Sequence, residues 1–197
     1  MSEQRCALRA SRKKTQGTQT LMMLVIGVGL VLIAAAAFLA LPKARAEIQQ
    51  TGSSVIPMEV NFPVPDVQLT DLGGQPVALA NYARQVILYN AWATWCPPCK
   101  EEMPTLEAYY QAHKQAGFVV VAIEDGEPAS EVAAFVKEYG LTFPVWPDPK
   151  WVATTAFKTN SLPTSFVIDR HGTVRLTWTG AITRETLEKY VTPLLSE

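Results

Sequence analysis

The chain has 197 residues, of which 48% are hydrophobic and 18% are charged, and its formal net charge is −1. These totals allow one globular domain with an appendage, and they give no indication of binding to nucleic acid. They exclude a small secreted scaffold held together by disulfides, because such domains are rich in cysteine and this chain has only three.

The N-terminal region combines a basic tail with an uncharged apolar segment. Residues 1–20 contain five basic residues and one acidic residue, and no charge occurs from Leu21 to Leu41. An α-helix over 21–41 would be about 31 Å long, enough to cross a hydrocarbon core of about 30 Å. The sequence therefore predicts a cytoplasmic tail at 1–20 and a transmembrane signal-anchor at 21–41, with the rest of the chain outside the cytoplasm.

A cleaved signal peptide is the alternative interpretation of this region. Ala44-Arg45-Ala46 fits the small-x-small pattern of a cleavage site, which would make Glu47 the first residue of a secreted protein. The apolar core of a signal peptide usually spans about 7–15 residues, and this segment is longer. The anchor is therefore favoured, and both interpretations place the following domain outside the cytoplasm, at the cell membrane or free.

The elements predicted after this segment alternate between strands and helices. Residues 42–61 are predicted to be a linker, and residues 62–197 to form the domain. Its predicted strands are Val64–Thr70, Pro76–Leu79, Val86–Trp92, Phe118–Ile123, Thr142–Trp146, Ser165–Asp169 and Val174–Trp178. Its predicted helices run from Cys96 to about Ala116, from Pro128 to Gly140, over 150–158 and over 184–195. This order predicts an α/β fold with a central mixed sheet flanked by helices.

Cys96 and Cys99 stand between a buried strand and the start of a helix. A helix N-terminus carries unpaired N–H groups and about half a positive charge, which favours a thiolate over a thiol. We therefore predict that Cys96 is the exposed nucleophile, and that Cys99, one turn further on, is more buried. The third cysteine, Cys6, is predicted to lie on the cytoplasmic side, away from this pair.

Glu102 lies one helical turn after Cys99, on the same predicted helix face. It could accept the proton of Cys99, or it could be a first-turn surface glutamate that the helix dipole stabilises. The sequence leaves both interpretations open. A second feature, Leu162-Pro163-Thr164, precedes a predicted strand. A cis bond before Pro163 would be a deliberate feature, but only about 5–6% of such bonds are cis, so residue type alone favours trans.

Together, these features resemble the thioredoxin superfamily, and within it the TlpA/ResA-like membrane-anchored thiol–disulfide oxidoreductases. The resemblance covers about residues 62–195. It is carried by the stretch from Trp92 to Lys100, by Glu102 and Pro104, by the loop Leu162-Pro163-Thr164, and by the segment Val64 to Ala83. It implies a thioredoxin-like fold with an N-terminal strand extension.

The resemblance also implies roles for individual residues. Cys96 and Cys99 would form a redox-active disulfide, Glu102 would be the acid/base group, and Pro163 would be cis in a loop that faces the cysteines. Asn90 stands where thioredoxin has a buried aspartate, as it often does in this subfamily. Substrate contacts would involve Trp95, Pro97, Leu162, Pro163 and Thr164.

The partners implied by the resemblance are protein disulfides or dithiols, such as those of apocytochrome c, and a membrane thiol donor of electrons. The membrane would be engaged through residues 21–41. No cofactor, metal ion or nucleic acid is predicted. The direction of electron flow is open, so an oxidant that donates disulfides to secreted proteins is one alternative.

Three further alternatives come from other classes of protein. A peroxiredoxin-like peroxidase shares the N-terminal pattern, but its Pro-x-x-x-Thr-x-x context is absent here. A zinc site would need His113 and His171 beside the two cysteines, and both histidines are predicted to be solvated surface residues. A docking module around an exposed Trp95 would leave two cysteines at a helix start without a purpose.

Overall fold

The computed structural model describes residues 55–196. Its strands are β1 (Met58–Pro63), β2 (Gln68–Thr70), β3 (Pro76–Ala78), β4 (Val86–Trp92), β5 (Phe118–Asp125), β6 (Val145–Asp148), β7 (Thr164–Ile168) and β8 (Thr173–Thr179). Its α-helices are α1 (Pro97–His113), α2 (Ala129–Tyr139), α3 (Val152–Ala156) and α4 (Arg184–Tyr190). Short 3-10 turns follow at Leu79–Tyr82, Lys114–Ala116 and Thr192–Ser196.

The predicted tail at 1–20 and the predicted anchor at 21–41 lie outside the described residues. Within 55–196, none of the helices combines the length and the hydropathy that a membrane crossing requires.

Six strands form the main sheet in the order β1-β8-β7-β4-β5-β6. β4, β5 and β6 are parallel to one another, whereas β7, β8 and β1 pair with their neighbours in antiparallel fashion. This arrangement confirms the predicted α/β fold with a mixed central sheet. All seven residues of β4 are buried, because the strand is central and covered on both faces.

Alternation along the strands divides the core into two layers. On one face, Leu88 and Val120 pack with Met103 and Leu106 of α1 and with Leu187 of α4. On the other face lie, among others, Tyr89, Val121, Trp146, Phe157 and Phe166. α1 is thereby fixed against the sheet, and its first turn is held at the carboxyl end of β4.

The N-terminal extension differs from its prediction at several boundaries, since the strand predicted at Val64–Thr70 is limited to Gln68–Thr70 and Leu79 begins a 3-10 turn. β2 and β3 form the predicted hairpin around Gly73-Gly74, but Met58–Pro63 form a strand, although residues 42–61 were predicted to be linker. β1 pairs with β8, and Phe62 lies opposite Val174. Because β1 is an edge strand with much of its surface exposed, its composition is polar enough to resemble a linker.

Two elements between β5 and β7 are shifted from their predicted positions. The strand predicted at Thr142–Trp146 begins three residues later and includes Pro147, which β6 tolerates because it is an edge strand. The helix predicted at 150–158 is limited to Val152–Ala156, since Trp151 before it has a left-handed backbone with φ of 55°.

The C-terminal helix begins as predicted and ends earlier. The Thr183 side chain caps α4 by accepting a hydrogen bond from the Thr186 amide. The predicted span 184–195 is divided at Val191, where the α-helix gives way to a 3-10 turn that contains Pro193. Proline lacks the N–H that a continuing α-helix requires.

Candidate active site

Cys96 occupies the capping position of α1, directly after the loop that leaves β4. Its sulfur accepts a hydrogen bond from the Cys99 amide at 3.3 Å, and the two sulfurs are joined in a disulfide. Pro97 and Pro98 fill the first two helical positions, where a missing N–H costs little. The sequence thus places both sulfurs at the positive end of α1.

The prediction that Cys96 is exposed is wrong for this disulfide form. Cys96 is only 3% exposed, and Cys99 is fully buried. In this form the Cys96 sulfur is bonded to that of its buried partner. Cys96 still lines a surface groove, whereas Cys99 does not, so Cys96 is the sulfur that an incoming group meets.

Glu102 is buried in α1, with 1% of its surface exposed. The interpretation as a surface glutamate is therefore wrong. The Asn90 side chain donates a hydrogen bond to Glu102 Oε1 at 2.8 Å, and the Ile182 amide donates to Oε2 at 3.3 Å. Burial raises the pKa of Glu102 to about 8, although these two hydrogen bonds oppose the rise.

Asn90 connects Glu102 to the sheet. Its amide nitrogen donates to Glu102 and also to the Ser165 hydroxyl at 3.0 Å, on the neighbouring strand β7. Its own oxygen is buried without a partner among the described residues. The amide therefore acts as a donor toward Glu102, which a carboxylate at this position would do only when protonated.

The Leu162-Pro163 bond is cis, which confirms the expectation drawn from the resemblance. The Pro163 carbonyl accepts a hydrogen bond from the Gly180 amide at 2.8 Å. Thr164 is buried, and its hydroxyl donates to the Ser161 carbonyl at 2.7 Å. Of the three residues in this loop, Leu162 is the one that lines the groove beside Cys96.

The groove has a volume of about 490 Å³ and opens beside the disulfide. Trp95 and Pro97, both predicted to contact substrate, line it. Trp95 is 65% exposed, as predicted. Trp151, Asp125 and Glu127, which were not predicted from the sequence, also line it.

A pair of carboxyl groups lies behind the loop that carries the cysteines. Glu124 is fully buried at the end of β5, and one of its oxygens accepts a hydrogen bond from the Glu127 amide at 3.0 Å. Burial, reinforced by the nearby Glu127, raises the pKa of Glu124 to about 8. Glu124 thus holds its proton to a higher pH than an ordinary carboxyl group, next to a second carboxyl group.

Glu127 holds the active-site loop through Thr94. Its carboxylate accepts from the Thr94 amide at 2.8 Å and from the Thr94 hydroxyl at 2.6 Å. Burial opposes ionisation, but hydrogen bonds from Glu124 and Thr94 lower the pKa of Glu127 overall. The sequence signal for this contact is the acidic run Glu124-Asp125-Gly126-Glu127 at the end of the apolar strand β5.

The two histidines considered for a zinc site lie elsewhere. His113 is half-buried and contacts Glu188 of α4 at 3.3 Å, so its prediction as a solvated residue is wrong. His171 lies in the turn between β7 and β8 and is exposed. Over residues 55–196, no group of three or more potential ligand side chains is arranged to hold a metal ion.

Comparison with known proteins agrees with this geometry. Residues 60–177 match the AhpC/TSA family. Over 132 residues, the chain is 37% identical to the thiol-disulfide oxidoreductase ResA of Geobacillus kaustophilus, which covers 67% of this chain and 76% of that protein. Over 134 residues, it is 35% identical to ResA of Bacillus anthracis, with coverage of 68% and 78%.

Solved structures give the same result. A thiol:disulfide interchange protein from Chlorobium tepidum aligns with a TM-score of 0.63 and 27% identity, covering 69% of this chain and 97% of that one. StoA from Bacillus subtilis aligns with a TM-score of 0.57 and 28% identity, covering 66% and 99%. With its disulfide at the start of α1, the chain therefore belongs to the AhpC/TSA family and is a ResA-like thiol–disulfide oxidoreductase.

Proposed function

We propose that the protein is a membrane-anchored reductase of protein disulfides outside the cytoplasm, with Cys96 as nucleophile, Cys99 as resolving thiol and Glu102 as proton acceptor. The observation that carries this proposal is the position of the Cys96–Cys99 disulfide, at the positive end of α1 and one turn from a buried carboxyl group. The resemblance to TlpA/ResA-like proteins supports apocytochrome c as a substrate.

In the first step, the reduced protein acts through the Cys96 thiolate. It attacks one sulfur of the substrate disulfide, so that a bond forms between Cys96 and that sulfur while the substrate S–S bond breaks. The other substrate sulfur leaves as a thiolate and takes up a proton. The helix N-terminus stabilises the Cys96 thiolate, and therefore also favours its later departure as a leaving group.

In the second step, Cys99 loses its proton to Glu102 and attacks Cys96. The Cys96–Cys99 bond forms, and the second substrate thiolate leaves and is protonated. Two electrons have then moved from the protein dithiol to the substrate disulfide. The pKa of Glu102, about 8, means that its ionised form, the one that accepts a proton, is a minority at pH 7 and grows as the pH rises. Because this pKa is close to the ordinary value of about 8.5 for a thiol, proton transfer from Cys99 to that form is nearly balanced.

The location outside the cytoplasm rests on the N-terminal sequence. The basic residues before the apolar segment 21–41 favour a cytoplasmic N-terminus and an anchored domain on the other side. N-terminal sequencing of the protein from purified membranes tests this. A chain that retains its first residues supports the anchor, whereas a mature N-terminus at Glu47 overturns it in favour of a cleaved signal peptide.

The direction of electron flow is tested by the reduction potential of the pair. We would equilibrate the full-length protein in detergent with dithiothreitol or glutathione buffers, in a Cys6→Ser background, so that only Cys96 and Cys99 report. A potential near thioredoxin's, about −270 mV, supports a reductant. A potential near DsbA's, about −120 mV, overturns that direction and identifies a disulfide donor.

A further inference from the structure

Two exposed tryptophans line the groove beside the cysteines. Among residues 55–196, five large hydrophobic side chains are exposed, and Trp95 and Trp151 are the two aromatic ones. They are 65% and 55% exposed, and both line the groove that Cys96 reaches. Large aromatic side chains kept at a reactive surface commonly serve in binding.

The backbone of Trp151 is strained, and the surrounding structure holds it in place. Its φ of 55° is unusual for a bulky residue, and such strain persists where neighbouring contacts maintain it, often at functional sites. The Trp151 amide donates to the Asp148 carbonyl at 3.2 Å, and the Trp151 carbonyl accepts from the Thr155 amide at 3.0 Å. These bonds join the Trp151 backbone to β6 and α3, and Trp151 lines the groove.

The lack of a side chain at Gly126 leaves room for the indole ring of Trp151. A Cβ atom at Gly126 would lie 2.9 Å from the Trp151 ring nitrogen, and the Gly126 φ of 105° also requires glycine. The ring thus packs directly on the backbone that follows β5. Trp151 is fixed at the groove, and binding would not have to order it first.

The charged side chains that line the groove are both acidic. They are Asp125 and Glu127, and no lysine or arginine is among the described lining residues. Hydrogen bonds from Glu124 and Thr94 keep the pKa of Glu127 low, so that it is ionised at neutral pH. The groove therefore combines aromatic sides with negative charge, which attracts a cation with a flat or apolar body.

We propose that the groove lined by Trp95 and Trp151 binds an arginine or lysine side chain close to the reactive cysteine of the substrate, and that the enzyme thereby prefers basic protein segments. The guanidinium of arginine suits it best, because this planar cation stacks on indole rings while donating to carboxylates. An acidic neighbour would be repelled, and an aliphatic one would gain no electrostatic attraction from the carboxylates. This inference rests on the proposed function, since it concerns the same site.

The test uses disulfide-linked dimers of the peptides acetyl-Xaa-Cys-Xaa-amide, with arginine, leucine or glutamate at both flanking positions. Their reduction by the full-length, reduced protein in detergent is followed by stopped flow. Each rate is divided by the rate of the same peptide with dithiothreitol, which removes differences in intrinsic reactivity. We expect an arginine-to-glutamate ratio of about ten, which corresponds to about 1.4 kcal/mol.

Variants separate the two parts of the site. Trp151→Ala and Glu127→Gln should each lower the ratio to about three, as should 0.5 M NaCl for the unchanged protein, through screening. Val152→Ala is the matched control, because Val152 is the exposed neighbour of Trp151 and does not line the groove. Circular dichroism and the melting temperature verify that each variant is folded.

The outcomes distinguish this inference from the proposed function. Rapid reduction of all three peptides with a ratio near one overturns the inference and leaves the reductase intact. A ratio that Trp151→Ala does not change overturns it as well. Failure to reduce any of the peptides would overturn the proposed function, together with the inference that rests on it.

Discussion

Glu102 is a buried carboxyl group that belongs to the resolving step. Its burial beside Asn90, one turn from Cys99, places a proton acceptor where the second thiol must lose its proton. We expect Glu102→Gln to slow the attack of Cys99 on the mixed disulfide by about a hundred-fold, the lower end of typical general-base effects. The measurement is acid quenching followed by mass spectrometry, in which the mixed disulfide on Cys96 should accumulate.

Glu101 supplies the matched control for this prediction. It is the neighbouring glutamate of α1, but it is exposed. Glu101→Gln should therefore resolve the mixed disulfide at the original rate. Equal lifetimes of the intermediate in the Glu101 and Glu102 variants would rule out a role for Glu102 in proton transfer.

At the scale of elements, the loop between β4 and α1 is held to the end of β5. The Thr94 hydroxyl donates to Glu127 at 2.6 Å, a bond to a charged acceptor. Thr94→Val keeps the shape of the side chain and removes this donor. We expect a loss of about 1.5–3 kcal/mol in the free energy of unfolding, measured by urea titration.

The control for the loop variant is the same substitution at an exposed position, Thr155→Val. It should change the free energy of unfolding by less than about 0.5 kcal/mol. If Thr94→Val were no more destabilising than Thr155→Val, the bond between the loop and Glu127 would contribute nothing to stability.

β1 is a strand that was not predicted, and because of it the observed domain begins before residue 62. Phe62 on this strand is half-buried against the core layer that contains Val174, whereas Met58 is 63% exposed. We expect Phe62→Ala to lower the free energy of unfolding by about 1–2 kcal/mol, less than for a fully buried phenylalanine. Met58→Ala should have little effect on the urea midpoint, and similar midpoints for the two variants would mean that the strand is not part of the folded unit.

For the whole molecule, the buried carboxyl groups determine how stability depends on pH. The pKa values of Glu102 and Glu124 are both about 8 in the folded protein, against an ordinary value of 4.5. Between these values the folded state keeps protons that the unfolded state has released, so stability falls as pH rises from about 4.5 to 8. Each group contributes a slope of up to about 1.4 kcal/mol per pH unit.

Other carboxylates act in the opposite direction at low pH. The pKa values of Glu107, Glu127, Asp169 and Glu188 are lowered, so the stability that they provide is lost as pH falls below their ordinary range. We therefore expect the melting temperature to be highest near pH 5 and to decline toward pH 9. The double variant Glu102→Gln/Glu124→Gln should flatten this decline, and an unchanged slope would contradict the assignment.

The sequence was sufficient where local signals and burial agreed. β4 is an apolar run that is buried along its whole length, and it was predicted with its observed limits. Gly140 has a positive φ and ends α2 where predicted, because glycine adopts this conformation at little cost. Gly117 also has a positive φ, but the α-helix before it ends at His113 and gives way to the 3-10 turn Lys114–Ala116. The position of the cysteine pair was predicted from β4 and from the start of the helix that follows it.

The sequence was insufficient where the site depends on distant segments. The groove brings together Trp95, Glu127 and Trp151, which follow strands β4, β5 and β6, respectively. Parallel strands bring their carboxyl ends to one edge, but which side chains meet there depends on loop conformations. The left-handed backbone of Trp151 could not be predicted from the sequence, because tryptophan rarely adopts this conformation.

The pairing of β1 with β8 has a consequence for the order in which the molecule is completed during synthesis. Among the strands of residues 55–196, β1 comes first along the chain and its partner β8 comes last. When the cysteine pair, α1 and β5 have been synthesised, the partner strand of β1 has therefore not yet been made. β1 has no partner strand until residues 173–179 have been synthesised. A chain truncated before them would therefore expose an unpaired strand to other proteins.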